Sequence, residues 1–167
     1  GIGVTLDMVP VMDIDCMTYW LEMYHLDGIR LDNKELIRSF RKVTGDRYAD
    51  VMVDLTWNTT GVAKLTEYMK TAPDRRENFV DYVSAVTGFI SEDEEVNALS
   101  HDQVAYGQGS FIEKMPGGYE DKYADLRTFY GLNMFLPGKK LMFMGQELGM
   151  FGGFDGYHVI DWSVLEF

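Results

Sequence analysis

Cysteine is almost absent from this chain of 167 residues, in which Cys16 is the only example. A single thiol cannot form an internal disulfide, so the cross-linked architecture of small secreted domains is excluded. No apolar run approaches the roughly 20 residues that a membrane-spanning helix needs, and no stretch has the pattern of a signal peptide. These absences lead us to expect a cytoplasmic protein.

Basic residues are scarce as well. The sequence has 15 lysines and arginines against 27 aspartates and glutamates, which gives a net charge of −12. This negative charge repels phosphate backbones and anionic lipid, so binding to nucleic acid or to a membrane surface is disfavoured. Hydrophobic residues make up 46% of the chain and aromatic residues 14%, enough to bury a core. The length predicts a single domain over residues 1–167.

Apolar periodicity alternates between strand and helix along the chain. Helical spacing predicts a helix at residues 13–25 capped by Asp13, and others from Leu36 to Gly45, at 60–88 with a break at Ala72-Pro73, and at 119–135. Short apolar runs predict five strands, at residues 4–7, 26–32, 51–55, 96–99 and 140–144. Strands that alternate with helices form a parallel sheet, so the predicted fold class is α/β.

The strand at residues 26–32 carries a candidate catalytic pair. Two-residue alternation puts Arg30 and Asp32 on one face of the strand, with Ile29 and Leu31 on the other. A neighbouring guanidinium keeps a carboxylate ionised, as a carboxylate nucleophile requires. The same two residues also fit an ordinary structural ion pair on a strand.

A second acid follows a second strand. Ser100-His101-Asp102 comes directly after the apolar run at residues 96–99, so Asp102 is predicted at the carboxyl end of that strand. An α/β barrel builds its active site from strand ends at one face. We therefore predict that Arg30, Asp32 and Asp102 converge there.

Other features are less specific. Trp57 fits two roles, stacking on a sugar ring or packing in the fold, and the sequence does not separate them. Residues 107–110 (Gly-Gln-Gly-Ser) lack the Gly-Lys-Ser/Thr ending of a phosphate loop and are predicted to form a flexible loop. Asp13 and Asp15 lack the glycine and distal glutamate of a calcium loop and fit a helix start instead. No metal site or cofactor is predicted.

Four motifs carry a family resemblance. They are Tyr-His-Leu-Asp-Gly-Ile-Arg-Leu-Asp at residues 24–32, Leu-Ser-His-Asp-Gln-Val at 99–104, Lys-Met-Pro-Gly at 114–117, and Pro-Gly-Lys-Lys-Leu-Met-Phe-Met-Gly-Gln-Glu at 137–147. Together with residues 1–7, 54–58 and 161–166, they resemble the bacterial 1,4-α-glucan branching enzymes, glycosyltransferases of the α-amylase superfamily that act in glycogen metabolism. The motifs match the family's third, fourth, sixth, seventh and eighth barrel strands. The resemblance therefore implies a truncated α-amylase-type catalytic domain, a partial or reduced (β/α)8 barrel, with α-glucan as partner.

The resemblance also implies roles for individual residues. Asp32 matches the family's nucleophile, Arg30 the arginine beside it, and Asp102 the acid that stabilises the transition state. His101 matches a donor to sugar hydroxyls, and Asp7 the acid that closes the third strand. In the family, the nucleophile forms a glycosyl-enzyme and a glucan hydroxyl then receives the sugar, which creates an α-1,6 branch.

The chain also departs from the family. The family's general acid is a glutamate in an Ala-Glu-Glu-Ser-Thr type of sequence, and nothing between Asp32 and Trp57 reproduces it. Asp54 is a weak candidate for that role, and Met12 stands where the family has a histidine. The alternative to an active enzyme is therefore an inactive fragment or reduced design with weak glucan binding at most. With too few strands to close a barrel, exposed sheet edges offer a route to homo-oligomers.

Overall fold

A computed structural model describes residues 2–8, 13–31, 33–53, 57–79, 81, 96–157 and 159–166. The chain divides into two compact units, Gly1–Thr56 and Trp57–Phe167. Within the described ranges, no helix is both long and apolar enough to span a bilayer.

The first unit is a small parallel sheet with its connecting helices. Its elements are β1 (Thr5–Asp7), α1 (Ile14–Tyr24), β2 (Gly28–Arg30), α2 (Lys34–Thr44), a 3₁₀-helix (Gly45–Tyr48) and β3 (Met52–Val53). The central strand β2 pairs in parallel with both neighbours, so the strand order is β1-β2-β3. Each crossover contains a helix, as parallel strands require.

Side-chain caps explain where the two helices begin. The Asp13 carboxylate accepts a hydrogen bond from the Cys16 amide at 2.9 Å, and the Asn33 side chain accepts one from the Leu36 amide at 3.0 Å. Such caps satisfy amides that have no partner within the helix. The Asp13 cap predicted from the sequence is confirmed.

Apolar residues three or four apart in the helices, and alternate residues of the central strand segment, form the core of the first unit. Its buried side chains are Met8, Met17, Leu21, Ile29, Leu31, Ile37, Phe40 and Val53. Ile29 and Leu31 are fully buried, as the predicted strand alternation requires.

The second unit has more helix than sheet. Its elements are α3 (Thr59–Lys70), a 3₁₀-helix (Pro73–Phe79), β4 (Val96–Leu99), a 3₁₀-turn (His101–Gln103), α4 (Phe111–Lys114), α5 (Tyr119–Phe135), β5 (Lys139–Met142) and 3₁₀-helices at Gln146–Leu148 and Trp162–Glu166. Strands β4 and β5 pair in parallel, and Trp57 adds one parallel bridge to Val96. A core of ten buried residues joins α3, α4, α5 and β4: Val62, Leu65, Met69, Leu99, Val104, Phe111, Ile112, Met115, Leu126 and Phe129.

An ion pair fastens α5 to the segment after α3. Both terminal nitrogens of Arg76 donate to the Asp125 carboxylate, at 2.8 and 2.6 Å, and Arg76 also donates to the carbonyl oxygens of Met69 and Thr71. The hydrogen bond to Asp125 raises the pKa of Arg76 further, so the guanidinium stays charged. Two-point contacts of this kind fix the orientation of the two side chains.

The predicted α/β class is confirmed, and the described strands are all parallel. They form two sheets, of three and two strands, where the sequence predicted one. The predicted strand at residues 26–32 is reduced to Gly28–Arg30, because its neighbours pair with it over only three and two residues. Residues 54–56 and 82–95 lie outside the described ranges. Formation of a partial barrel, like the single domain, stays a prediction.

The central strand of the first unit generates a stability prediction. Ile29 is 0% exposed and Ile2 is 97% exposed, so the two positions form a matched pair. We expect Ile29→Ala to lower the free energy of unfolding by about 2–5 kcal/mol, because it leaves a cavity in the core, and Ile2→Ala to change it by less than about 0.5 kcal/mol. Urea unfolding measures both, and equal effects would contradict the proposed core.

A buried phenol generates a pH prediction. Tyr130 donates its hydroxyl proton to the Gln146 carbonyl oxygen at 2.8 Å, and burial raises the pKa of Tyr130 above its ordinary value of 10.0. The folded chain therefore holds this proton more tightly, so the stabilisation is complete below pH 10 and is lost as the pH rises through the folded pKa.

We expect Tyr130→Phe to unfold with a free energy about 1 kcal/mol lower at pH 7, because one hydrogen bond is lost. The difference from the natural chain should shrink above pH 10. Urea titrations from pH 7 to 12 test this, and a constant difference would show that Tyr130 does not titrate as its burial requires.

Candidate active site

The carboxyl ends of β1 and β2 bring two predicted residues together. Asp7 and Arg30 are paired in the parallel register, and Arg30 Nη1 lies 3.0 Å from Asp7 Oδ1. The Arg30 side chain is 12% exposed and that of Asp7 is 45% exposed. The largely buried guanidinium is thus held beside a carboxylate that solvent can reach.

Three residues of the sequence prediction lie outside the described residues: Asp32, Asp54 and Met12. The adjacency of Arg30 and Asp32 therefore stays a prediction. Sequence alternation did not identify Asp7 as a partner of Arg30, because that contact depends on the register between two strands.

A short turn after β4 positions His101 and Asp102. The Ser100 hydroxyl oxygen accepts a hydrogen bond from the Asp102 amide at 3.2 Å, and the Gln103 side chain accepts one from the Ser100 amide at 2.7 Å. This reciprocal arrangement is a capping box. Its Ser-x-x-Gln pattern was present in the sequence, so this feature could have been predicted.

The turn gives Asp102 two polar neighbours. His101 Nε2 lies 3.2 Å from Asp102 Oδ1, and the Ser100 hydroxyl lies 3.3 Å from Asp102 Oδ2. The side chains of His101 and Asp102 are 43% and 54% exposed. A carboxylate and an imidazole are therefore paired at the carboxyl end of β4 and remain open to a ligand.

Two aromatic rings lie near the His101 imidazole. The Trp57 ring lies 6.4 Å from that of His101, edge to face, and the Phe143 ring lies 6.0 Å from it. The Phe143 amide donates to the Leu99 carbonyl at 2.9 Å, so the pairing of β4 with β5 puts this ring beside the turn. Phe143 was not predicted as a site residue, because a contact across two strands leaves no local pattern in the sequence.

Hydrogen bonds of Asn58 and Asn97 hold Trp57 at this position. The Asn58 amide donates to the Val96 carbonyl at 2.8 Å, and the Asn58 side chain donates to that of Asn97 at 3.1 Å. Asn97 is almost fully buried and donates in turn to the Pro137 carbonyl at 2.6 Å. These hydrogen bonds of Asn58 and Asn97 tie the strand ends to one another.

The arrangement suits a neutral, hydroxyl-rich ligand. The carboxylate of Asp102 accepts hydrogen bonds, the His101 imidazole can donate or accept, and the rings of Trp57 and Phe143 offer apolar surface. Among the residues that the structure describes, no group of three His, Cys, Asp or Glu side chains is placed to hold a metal ion.

Comparison with known proteins identifies relatives. No protein-family model matches the chain. Three curated proteins named 1,4-alpha-glucan branching enzyme GlgB are 29%, 27% and 37% identical to it, from Bacillus caldolyticus, Geobacillus stearothermophilus and Bacillus cereus respectively. Each match covers 89% of this chain. The family resemblance seen in the motifs is therefore confirmed.

The chain corresponds to only part of these relatives. It spans 28–30% of their length. The alignments extend over 190 positions, more than the 167 residues of this chain, so the relatives contain intervening residues that it lacks. The motifs, which match the family's third, fourth, sixth, seventh and eighth strands but not the fifth, agree with this difference.

The capping box generates a prediction for the turn. Ser100→Ala removes the acceptor for the Asp102 amide, and we expect it to lower the free energy of unfolding by about 1 kcal/mol. Ser100→Thr keeps the hydroxyl and should behave like the natural chain. Urea unfolding compares the two, and an unchanged Ser100→Ala variant would show that the cap does not hold the turn.

Proposed function

We propose that this chain binds α-glucan at the carboxyl end of β4, with site chemistry of the branching-enzyme type. The observation that carries the proposal is the set of groups around His101, whose Nε2 lies 3.2 Å from Asp102 and whose ring lies 6.4 Å from that of Trp57 and 6.0 Å from that of Phe143. A glucosyl unit has hydroxyls that pair with the carboxylate and imidazole, and apolar C–H faces that pack on aromatic rings.

The proposed roles follow retaining glycosyl transfer. Asp32 would attack the anomeric carbon and form a glycosyl-enzyme, with Arg30 keeping that carboxylate ionised. Asp102 would accept hydrogen bonds from sugar hydroxyls as positive charge develops on the ring, and His101 would donate to a hydroxyl. In the full reaction a hydroxyl of a second glucan chain takes the sugar from the enzyme, which gives an α-1,6 branch.

This reaction also needs a carboxylic acid about 5 Å from the nucleophile to protonate the leaving oxygen. The family's glutamate has no counterpart between Asp32 and Trp57, and Asp54 has a side chain one methylene shorter. General acid catalysis is worth about 10²–10⁴ in rate. We therefore propose that glucan binding is retained and that branching is not completed by this chain.

The Asp102 carboxylate generates a binding prediction. We expect Asp102→Asn to weaken maltoheptaose binding by about tenfold, because hydrogen bonds to a charged acceptor contribute roughly 1.5–3 kcal/mol. Asp74→Asn makes the same change of charge at an exposed position in the 3₁₀-helix after α3 and should bind like the natural chain. Calorimetric titration measures both, and equal affinities in the two variants would reject Asp102 as a ligand-binding residue.

A catalytic assay separates the enzyme from the inactive fragment. With amylose as substrate we expect no branching by iodine staining and chain debranching, whereas a glucosyl fluoride, whose leaving group needs no protonation, can still react slowly. Asp32→Asn is the control, because it removes the proposed nucleophile. Clear branching of amylose that disappears in this variant would mean that another group supplies the proton, with Asp54 the first to test.

A further inference from the structure

The loop after Asp102 has an unfavourable backbone conformation at Tyr106. Its φ angle is +55°, in the left-handed region that a bulky side chain rarely occupies. The Tyr106 side chain is also 90% exposed. Such conformations persist only where the surrounding structure imposes them, and they concentrate at functional sites.

Hydrogen bonds impose this conformation from both ends of the loop. Lys114 Nζ donates to the Gln103 carbonyl at 2.5 Å and to the Gly109 carbonyl at 2.7 Å. The Gln108 side chain donates to the Asp102 carbonyl at 2.9 Å, which ties the loop to the candidate site itself. We call these two hydrogen bonds of Lys114 the Lys114 clamp. Burial lowers the pKa of Lys114, because removing its ammonium group from water is unfavourable, and the two hydrogen bonds offset that cost.

A second segment of the chain closes on the loop. The Phe154 amide donates to the Val104 carbonyl at 2.8 Å, and Ala105 and Phe154 form a parallel bridge. At Gly153 a β-carbon would lie 2.7 Å from the Val104 carbonyl oxygen, so only glycine allows this approach. Residues 107–110 were predicted to form a flexible loop, but contacts at Gln103, Val104 and Gly109 hold both ends of the longer loop at residues 103–110.

Aromatic packing does not explain the position of the Tyr106 ring at the apex of this loop. In the described part of the chain the Tyr106 ring makes no aromatic or cation–π contact, in contrast to Tyr119, Tyr123 and Phe151, which pack on one another. A loop held at both ends, and tied by Gln108 to the Asp102 carbonyl, therefore presents an exposed aromatic residue with a strained backbone four positions after Asp102. Rigid presentation lowers the entropy lost when a ligand binds.

We propose that Tyr106 is a sugar-stacking residue that holds a glucosyl unit of the α-glucan next to the one bound at Asp102. This inference rests on the proposed function and adds to it a residue that determines how a chain of several glucose units is held. Tyr106 takes no part in bond making. Its ring would contact the C–H face of a pyranose and orient the chain along the carboxyl end of β4.

The test separates a ligand contact from a structural role. In Tyr106→Gly the ring is lost and the left-handed backbone becomes favourable, so we expect about tenfold weaker binding of maltoheptaose with an equal or higher urea midpoint. Tyr106→Asn, which also tolerates this backbone, should behave in the same way. Tyr106→Phe keeps the ring and should bind within about twofold of the natural chain. Glucose alone should bind all variants alike, because it fills only one position.

Tyr157→Ala is the matched control, because Tyr157 is also 90% exposed. It should bind maltoheptaose like the natural chain. The proposal is overturned if Tyr106→Gly binds normally, if its urea midpoint falls along with its affinity, or if Tyr157→Ala weakens binding equally. Should Asp102→Asn weaken binding while Tyr106→Gly does not, the proposed function stands and only the role of Tyr106 is wrong. If the natural chain binds no maltoheptaose, both are wrong.

Discussion

The parallel register of β4 with β5 is the constraint on which the candidate site depends. Leu99 is paired with Met142, and the next hydrogen bond joins the Phe143 amide to the Leu99 carbonyl. The turn that follows β4 therefore begins next to Phe143, and the His101 ring lies near both this ring and that of Trp57. A slip of one residue would turn Phe143 to the other face of the sheet and remove one wall of the site.

Hydrogen bonds near the paired strands β4 and β5 position the turn and the loop of the site, and they leave the Asp102 carboxylate accessible. The capping box of Ser100 and Gln103 holds the turn, and the Lys114 clamp holds the loop after it. Both use backbone amides and carbonyls, so the carboxylate of Asp102 remains more than half exposed. In the first unit, too, the strand register brings together two charged residues, Arg30 and Asp7, that are far apart in the sequence.

Local signals predicted the elements of this fold well. The bounds of β4 and α5 agree with the predicted strand at 96–99 and helix at 119–135, and Asp13 caps α1 as expected. Contacts between elements could not be predicted, because register and packing depend on residues far apart in sequence. Three features depend on such contacts: the ion pair of Arg30 with Asp7, the contact of Phe143 with His101, and the division into two sheets. The motifs identified the branching-enzyme relatives, and convergence of Asp32 with Asp102 stays a prediction.

The central claim is that α-glucan binds where β4 ends. Titration of the isotopically labelled chain with maltoheptaose, followed residue by residue through its backbone amide NMR signals, tests it most directly. The account predicts saturable shifts at Trp57, at Phe143 and over residues 100–106, with those in the helix Tyr119–Phe135 nearly unchanged. Shifts confined to other segments, or none at saturating sugar, would contradict it.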